Sequence, residues 1–205
     1  MENRMIQAKV LTLEQDETTS QLLNQRKLFS VTASICMTKS RDTFEEMMYT
    51  CSSMGVNKII PIMTEKKQHA EYFENKKDRL EKIMISAVEQ SKQFYGMPEI
   101  ASPLSIQDYC KQMKEQLNER RVFLDVDGEK PWLSLLNEIE ENKQKMNKMN
   151  INLLVGPERD LFDQERAQLA ELGFESLSLA RKIVYRSEVA LSVSLGSITS
   201  VIWNK

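Results

Sequence analysis

The sequence predicts an α/β fold with a mainly parallel sheet. Short β-branched and apolar runs alternate with helical patterns along most of the chain, and polar segments bound each run, as around buried strands. Composition agrees with this reading. The 205 residues carry 28 Lys+Arg against 30 Asp+Glu and are 41% hydrophobic, which suits one domain with a sizeable core, or one domain with an appendage. No apolar run approaches the roughly 20 residues of a membrane-spanning helix. Met1 to Val10 carries Glu2, Arg4 and Lys9 and lacks the apolar stretch of a secretory signal. A cytoplasmic protein is expected.

Met5 to Leu13 reads as a strand and Glu14 to Gln25 as a polar linker or short helix. Leu28 to Met37 and Lys58 to Met63 read as buried strands. From Asp42, the residues Phe44, Met47, Met48 and Cys51 fall at i, i+3, i+4 and i+7, which predicts an amphipathic helix with Asp42 and Glu45 as a capping box and Gly55 as its stop. A second helix is predicted from about Asn75 to Phe94, with Leu80, Ile83, Met84, Ala87 and Val88 on its core face. Ser105 is placed to cap a third, carrying Ile106, Tyr109, Cys110, Met113 and Leu117. Arg121 to Val126 then reads as a strand entering a turn at Asp127-Gly128, and Trp132 to Ile139 as a helix with a polar continuation to Asn150. Ile151 to Val155 is a strand ended by Gly156-Pro157, Asp163 to Leu172 a helix stopped by Gly173, and Lys182 to Tyr185 a strand before a last apolar helix to about Trp203.

Three cysteines, Cys36, Cys51 and Cys110, without a CxxC or a Cys/His cluster argue against disulfides and zinc. No metal is expected. A single histidine, His69, argues against histidine-based triads and multi-histidine metal sites, and its polar stretch reads as surface. A net charge of −2 gives no global attraction to nucleic acid, yet residues 57 to 92 hold eight Lys/Arg against six Asp/Glu, a local excess suited to an RNA-facing surface.

Open parallel sheets bind ligands beyond the carboxyl ends of their strands, so the best ligand site is where Ile151 to Val155 ends in Gly156-Pro157-Glu158. An ordinary turn with a solvated Glu158 is the bland alternative. A second candidate is Tyr185-Arg186-Ser187-Glu188 at a strand-to-helix junction, where a surface ion pair and a Ser187 cap are the alternative.

Five segments occur in the order and approximate spacing of the RsmE family. They are Gly55-Val56-Asn57-Lys58-Ile59-Ile60-Pro61 with Thr64-Glu65-Lys66, Ala87-Val88-Glu89-Gln90-Ser91, Leu153-Leu154-Val155-Gly156-Pro157-Glu158, Gly173-Phe174, and Arg186-Ser187-Glu188-Val189-Ala190. Over roughly Leu28 to Trp203 the chain therefore resembles these uridine methyltransferases of small-subunit ribosomal RNA. The resemblance implies a SPOUT-type parallel sheet flanked by helices with a C-terminal trefoil knot, an exception to the rule that chains do not thread loops. It divides the chain into residues 1–27, a short N-terminal remnant or linker, and a SPOUT methyltransferase-like domain over 28–205.

It further implies S-adenosyl-L-methionine as cofactor, a homodimer, and ribosomal RNA or the small ribosomal subunit as partner. The loops Leu154 to Leu161 and Leu177 to Arg186 would hold the cofactor, through Leu154, Val155, Gly156, Pro157, Glu158, Leu161, Leu177, Leu179, Ala180, Ile183 and Tyr185. The reaction implied is methyl transfer to ring nitrogen 3 of a uridine. That nitrogen is a poor nucleophile while protonated, so the site must help remove the proton or stabilise the charge that develops. Arg186 suits charge stabilisation with Glu188 orienting it, and Glu158 is either a cofactor contact or a base. Lys39, Arg41, Lys66, Lys67 and Lys92 suit phosphate contacts.

The chain also departs from that pattern. Arg159 and Asp160 follow Gly-Pro-Glu where the family has two glycines, which predicts side chains that hinder close approach and a loss of φ > 0 freedom. Leu179-Ala180 stands for Leu-Gly, and Arg186 falls one residue late, a shift that a bulge in the strand would absorb. Gln93 stands near a usual Arg, and fewer than 30 residues precede Leu28, too few for the family's PUA-like barrel. These departures leave a second reading, a degenerate SPOUT domain acting as a dimeric RNA- or protein-binding module, and it predicts that Arg159 and Asp160 fill the cofactor cleft.

Overall fold

The computed structural model describes residues 27–63, 66–91, 96–116 and 118–203. The strand and linker expected within residues 1–26, the residues Leu117, Lys92, Gln93 and Phe94, and the side chains of Lys66 and Lys67 lie outside the described residues.

The elements in order are β1 (Phe29–Cys36), α1 (Arg41–Ser53), β2 (Lys58–Met63), α2 (Lys66–Ser91), β3 (Glu99–Ile100), β4 (Leu104–Ser105), α3 (Ile106–Glu115), β5 (Arg120–Leu124), β6 (Lys130–Pro131), α4 (Leu133–Gln144), β7 (Met149–Val155), α5 (Asp163–Glu171), β8 (Glu175–Ser178) and α6 (Ser187–Trp203). The sheet runs β3-β2-β1-β7-β5-β8-β6, with β4 also on β2. Every pairing is parallel, as the alternation predicts. At its centre Ala33 stands beside Leu153 and Ile35 beside Val155.

Two helical layers cover the sheet. Phe29, Val31, Ala33 and Ile35 of β1 and Met149, Ile151, Leu153 and Val155 of β7 point to the layer of α1, α2, α4 and α6. The intervening Cys36 and Leu154 point to α3 and α5, where Tyr109, Met113, Leu169 and Phe174 receive them. Both faces are buried, and the polar residues that the second face holds are paired: the Ser34 hydroxyl of β1 donates to Asn152 Oδ1 of β7 at 2.8 Å. No helix among the described residues is long and apolar enough to cross a membrane.

Several local expectations are corrected. The cap of α1 is Ser40, whose hydroxyl accepts the Thr43 N–H at 3.3 Å, while Glu45 instead accepts from Tyr72 and Arg79. Gly55 does stop the helix, at φ 74°. Ser105 caps α3, accepting the Asp108 N–H at 3.1 Å. Helix α2 begins at Lys66, well before Asn75, and His69 is buried, not at the surface. The reason is helical spacing: His69, Tyr72 and Phe73 fall at i, i+3 and i+4 and turn inward together.

The strand expected at Lys182 to Tyr185 is absent. Residues 179–186 form a loop, in which Ile183 and Val184 are 52% and 79% exposed, and the strand lies earlier, at Glu175–Ser178. With no strand there, the late position of Arg186 needs no bulge. The strand itself is short and mostly polar, and it is held by pairing with β5 and β6 and by the burial of Leu177.

Candidate functional site

The site lies where the topology divides. From β1 the chain moves outward to β2 and from β7 it moves the other way, past β5, to β8. The helices that follow, α1 and α5, pack on opposite faces. The loops after β1 and β7 therefore part, leaving a crevice at the carboxyl edge.

Specific bonds shape its walls. The Lys39 N–H donates to Glu158 Oε1 at 3.0 Å, which joins the loop after β1 to the loop after β7. The Ser187 hydroxyl donates to the Gly156 carbonyl at 3.0 Å, so the first residue of α6 is tied to the same loop instead of serving as a cap. A third wall, residues 125–128, lies on β8: the Asp125 N–H donates to Leu177 O at 3.0 Å and the Ser178 hydroxyl to Val126 O at 2.9 Å. Gly128 makes this contact possible, because a Cβ there would stand 2.5 Å from the Leu177 carbonyl carbon and the Ser178 nitrogen.

The resulting cleft has a volume of about 470 Å³. Val155, Gly156, Pro157 and Glu158 line one side, Leu179, Ala180, Ile183, Tyr185, Arg186 and Glu188 another. The expected residues Leu154, Leu161 and Leu177 stand behind this lining: Leu154 faces α3 and α5, Leu161 packs under Gly156, and Leu177 faces the other core layer. Strand alternation puts Leu154 on the face away from Val155.

Arg186 Nε lies 3.1 Å from Glu188 Oε1, with the Arg186 side chain 80% exposed and the Glu188 side chain only 12% exposed. The acid is fixed and the base reaches outward. Arg159 and Asp160 do not fill the cleft. Arg159 turns away, its guanidinium 3.8 Å over the Phe162 ring and 3.1 Å from Glu165. Asp160 adopts φ 67° and sits at the rim with its carboxylate 2.7 Å from Arg166. The expected hindrance is thereby avoided, at a backbone cost of about 1 kcal/mol for a left-handed aspartate. The degenerate reading loses the observation it required.

Lys39 and Arg41 are exposed beside the cleft, next to Ser40 and Thr43, which line it. Arg41 also lies 5.5 Å over the Tyr72 ring. Cys36, at the end of β1, is buried, and its thiol is pushed up to about 12 by burial, with Glu165 adding to the shift. It is not a nucleophile in this state.

Asp125 and Val126 were missed by sequence reasoning, whereas Ser178 and Ser187 lie within segments singled out for other residues. The first two follow β5 directly, so the rule that sites lie beyond strand carboxyl ends applied to them as it did to Gly156. Nothing in the sequence aligned β5 with β7.

Fold and site together define a parallel-sheet domain with a ligand cleft at its carboxyl-edge switch point. Residues 24–199 match the RNA methyltransferase domain family, and the chain belongs to it. Ribosomal RNA small subunit methyltransferase E of a Synechocystis species is 28% identical over 173 residues, which cover 84% of this chain and 54% of that protein. The chain thus spans about half the length of this curated relative. The crystal structure of a ribosomal RNA small subunit methyltransferase E from Neisseria gonorrhoeae bound to S-adenosylmethionine superposes with a TM-score of 0.66 at 22% identity, covering 84% of this chain and 66% of its own. An S-adenosylmethionine-bound rRNA methyltransferase from Sinorhizobium meliloti gives a TM-score of 0.53 at 14% identity, covering 82% and 55%. At such identities these two structures show the fold.

Proposed function

We propose that the chain is an S-adenosylmethionine-dependent methyltransferase acting on ring nitrogen 3 of a uridine in small-subunit ribosomal RNA. The observation that carries this reading is the cleft at the switch point, open past Arg159 and Asp160 and bearing the Arg186–Glu188 pair at its edge. Its volume falls in the range of about 300 to 1,000 Å³ usual for cofactor sites. The lining suits the group as well. Leu124, Val126, Leu179 and Ile183 offer an apolar bed for an adenine, and the carboxylates of Glu158 and Glu188 favour a cationic sulfonium.

Bound S-adenosylmethionine supplies an electrophilic methyl group. The chain supplies position and charge. Arg186, exposed and aimed by Glu188, stabilises the negative charge on the uracil ring as its N3 proton leaves to solvent. Glu158, fixed by the Lys39 amide, faces the cleft and contributes negative charge toward the cofactor. Lys39 and Arg41 beside the cleft, with Lys66, Lys67 and Lys92, contact RNA phosphates.

The same reading includes a C-terminal trefoil knot and a homodimer. Exposed Val189 and Val193, one turn apart on α6 beside exposed Ile183 and Val184, support the homodimer.

The test is transfer of a labelled methyl group from S-adenosylmethionine to small-subunit RNA, free and in the ribosomal particle, with the product nucleoside identified. 3-Methyluridine in wild type, and a loss of about a hundredfold or more in Arg186→Ala with cofactor binding retained, is the expected result. A methyl group on another atom, or unchanged turnover in the variant, overturns it.

A further inference from the structure

We infer that Arg166 is a positioning residue that joins two walls of the cleft in one geometry. It lies on α5, outside the lining, and reaches both walls at once. Its Nε is 2.7 Å from Asp125 Oδ2 and its Nη2 is 2.7 Å from Asp160 Oδ2, while Nη1 donates to the Leu161 carbonyl. Asp125 belongs to the loop after β5 and Asp160 to the loop after β7, so a single planar guanidinium spans the gap between them. A planar fork with five donors meets three acceptors in fixed directions, which a lysine ammonium does not do.

Each partner shows why the tie matters. Asp125 is only 12% exposed, and its other oxygen accepts the Asp127 N–H at 3.0 Å, so its carboxylate is engaged on both sides and sets the turn that leads to Gly128. Asp160 holds a left-handed backbone at φ 67°, a conformation that a non-glycine residue keeps only where its surroundings fix it. Its Oδ1 accepts the Leu161 N–H at 2.8 Å and its Oδ2 faces Arg166. Arg166 therefore fixes the one residue of the loop whose backbone is strained, and ties it to the opposite wall. The guanidinium stays protonated more firmly than usual, chiefly through its bond to Asp125. Two carboxylates lining the cleft, Asp125 and Asp160, are thus structural, which leaves Glu158 and Glu188 to face what binds.

Arg166's bearing on the ligand rests on the reading of the cleft as an S-adenosylmethionine site, whereas its bearing on the two loops does not. The test is hydrogen exchange on the full chain, wild type against Arg166→Met and Arg166→Lys, with titration of S-adenosylhomocysteine alongside. In Arg166→Met, amides of residues 125–128 and 156–162 exchange about tenfold faster while β1 and α4 keep wild-type rates, and the dissociation constant rises about tenfold. In Arg166→Lys the loss is similar, because one ammonium does not span both carboxylates. Should the Met variant fail to fold, the Lys variant and Asp125→Asn decide the matter by the same exchange pattern. Wild-type exchange in either loop, or uniform acceleration across the sheet, overturns the inference. A wild-type chain that binds no S-adenosylhomocysteine removes the cofactor reading, and the exchange pattern still decides whether Arg166 joins the loops.

Discussion

The Lys39 N–H and Glu158 Oε1 meet at 3.0 Å across the mouth of the cleft, joining two loops 119 residues apart in sequence. The bond makes a prediction that separates shape from charge. Glu158→Gln keeps an acceptor and leaves the Lys39 amide protected from exchange, whereas Glu158→Ala removes it and the amide exchanges freely. A lost hydrogen bond of this kind is worth about 1 kcal/mol, so Glu158→Ala is expected to weaken ligand binding about fivefold more than Glu158→Gln, read by calorimetry.

Gly128 is the position where a single methyl group should do most harm. Its Cβ would meet the backbone of β8 at 2.5 Å, and backbone does not move aside as a flexible side chain does. Gly128→Ala is expected to cost about 3 kcal/mol in urea unfolding, at the upper end for overpacking. Gly173→Ala has open space around it but sits at φ 79°, and a cost of about 1 kcal/mol is expected there from strain alone.

Arg121 makes a prediction of a different kind. From β5 it donates to Met113 O at 2.7 Å, to Gln116 O, and to Leu172 O at 2.8 Å, satisfying carbonyls at the ends of both α3 and α5. Its Nε is buried without a hydrogen-bond partner. Arg121→Leu leaves those carbonyls unpaired, and a loss of about 3 kcal/mol with premature fraying of both helix ends by hydrogen exchange is expected.

The acid limb of stability follows from two glutamates. Hydrogen bonding to Arg79 holds the Glu45 carboxyl below the usual range, and Lys130 followed by Arg120 does the same for Glu175. A carboxyl whose folded pKa is depressed contributes fully above its unfolded value of about 4.3 and loses that contribution as pH falls through the folded pKa. Stability is therefore expected to decline below about pH 4.3, with the decline shallower in Glu45→Gln. An unchanged slope in that variant would remove Glu45 from the acid response.

Much of the sheet was legible from the strands themselves: Lys58–Met63 is a nearly unbroken apolar run, and Phe29–Cys36 and Met149–Val155 carry apolar residues at every second position, all facing one core layer. Helix α3 was legible through Ser105 and the spacing of Tyr109, Cys110 and Met113. Strand β8 was not, because Glu175-Ser176-Leu177-Ser178 owes its form to partners on both sides and not to its own residues. Ile183 and Val184 misled for the converse reason: apolar and β-branched, they line a cleft instead of entering the sheet. Of the site, segment 155–158 was readable from its position at a strand end, whereas 185–188, expected at a strand-to-helix junction, follows a loop. The wall at Asp125 and its tie to Arg166 were not readable, since they depend on β5, β7 and β8 being neighbours, a tertiary fact. Arg159 shows the limit most plainly: its bulk was evident, while its direction depends on the ring of Phe162 and the carboxylate of Glu165.

Calorimetric titration of the purified chain with S-adenosylmethionine, and separately with S-adenosylhomocysteine, tests the central claim most directly. The account predicts saturable binding of both at one site per protomer, lost or strongly weakened in a Leu179→Trp variant that fills the cleft. A folded wild-type chain that gives no heat with either ligand at millimolar concentration would contradict it.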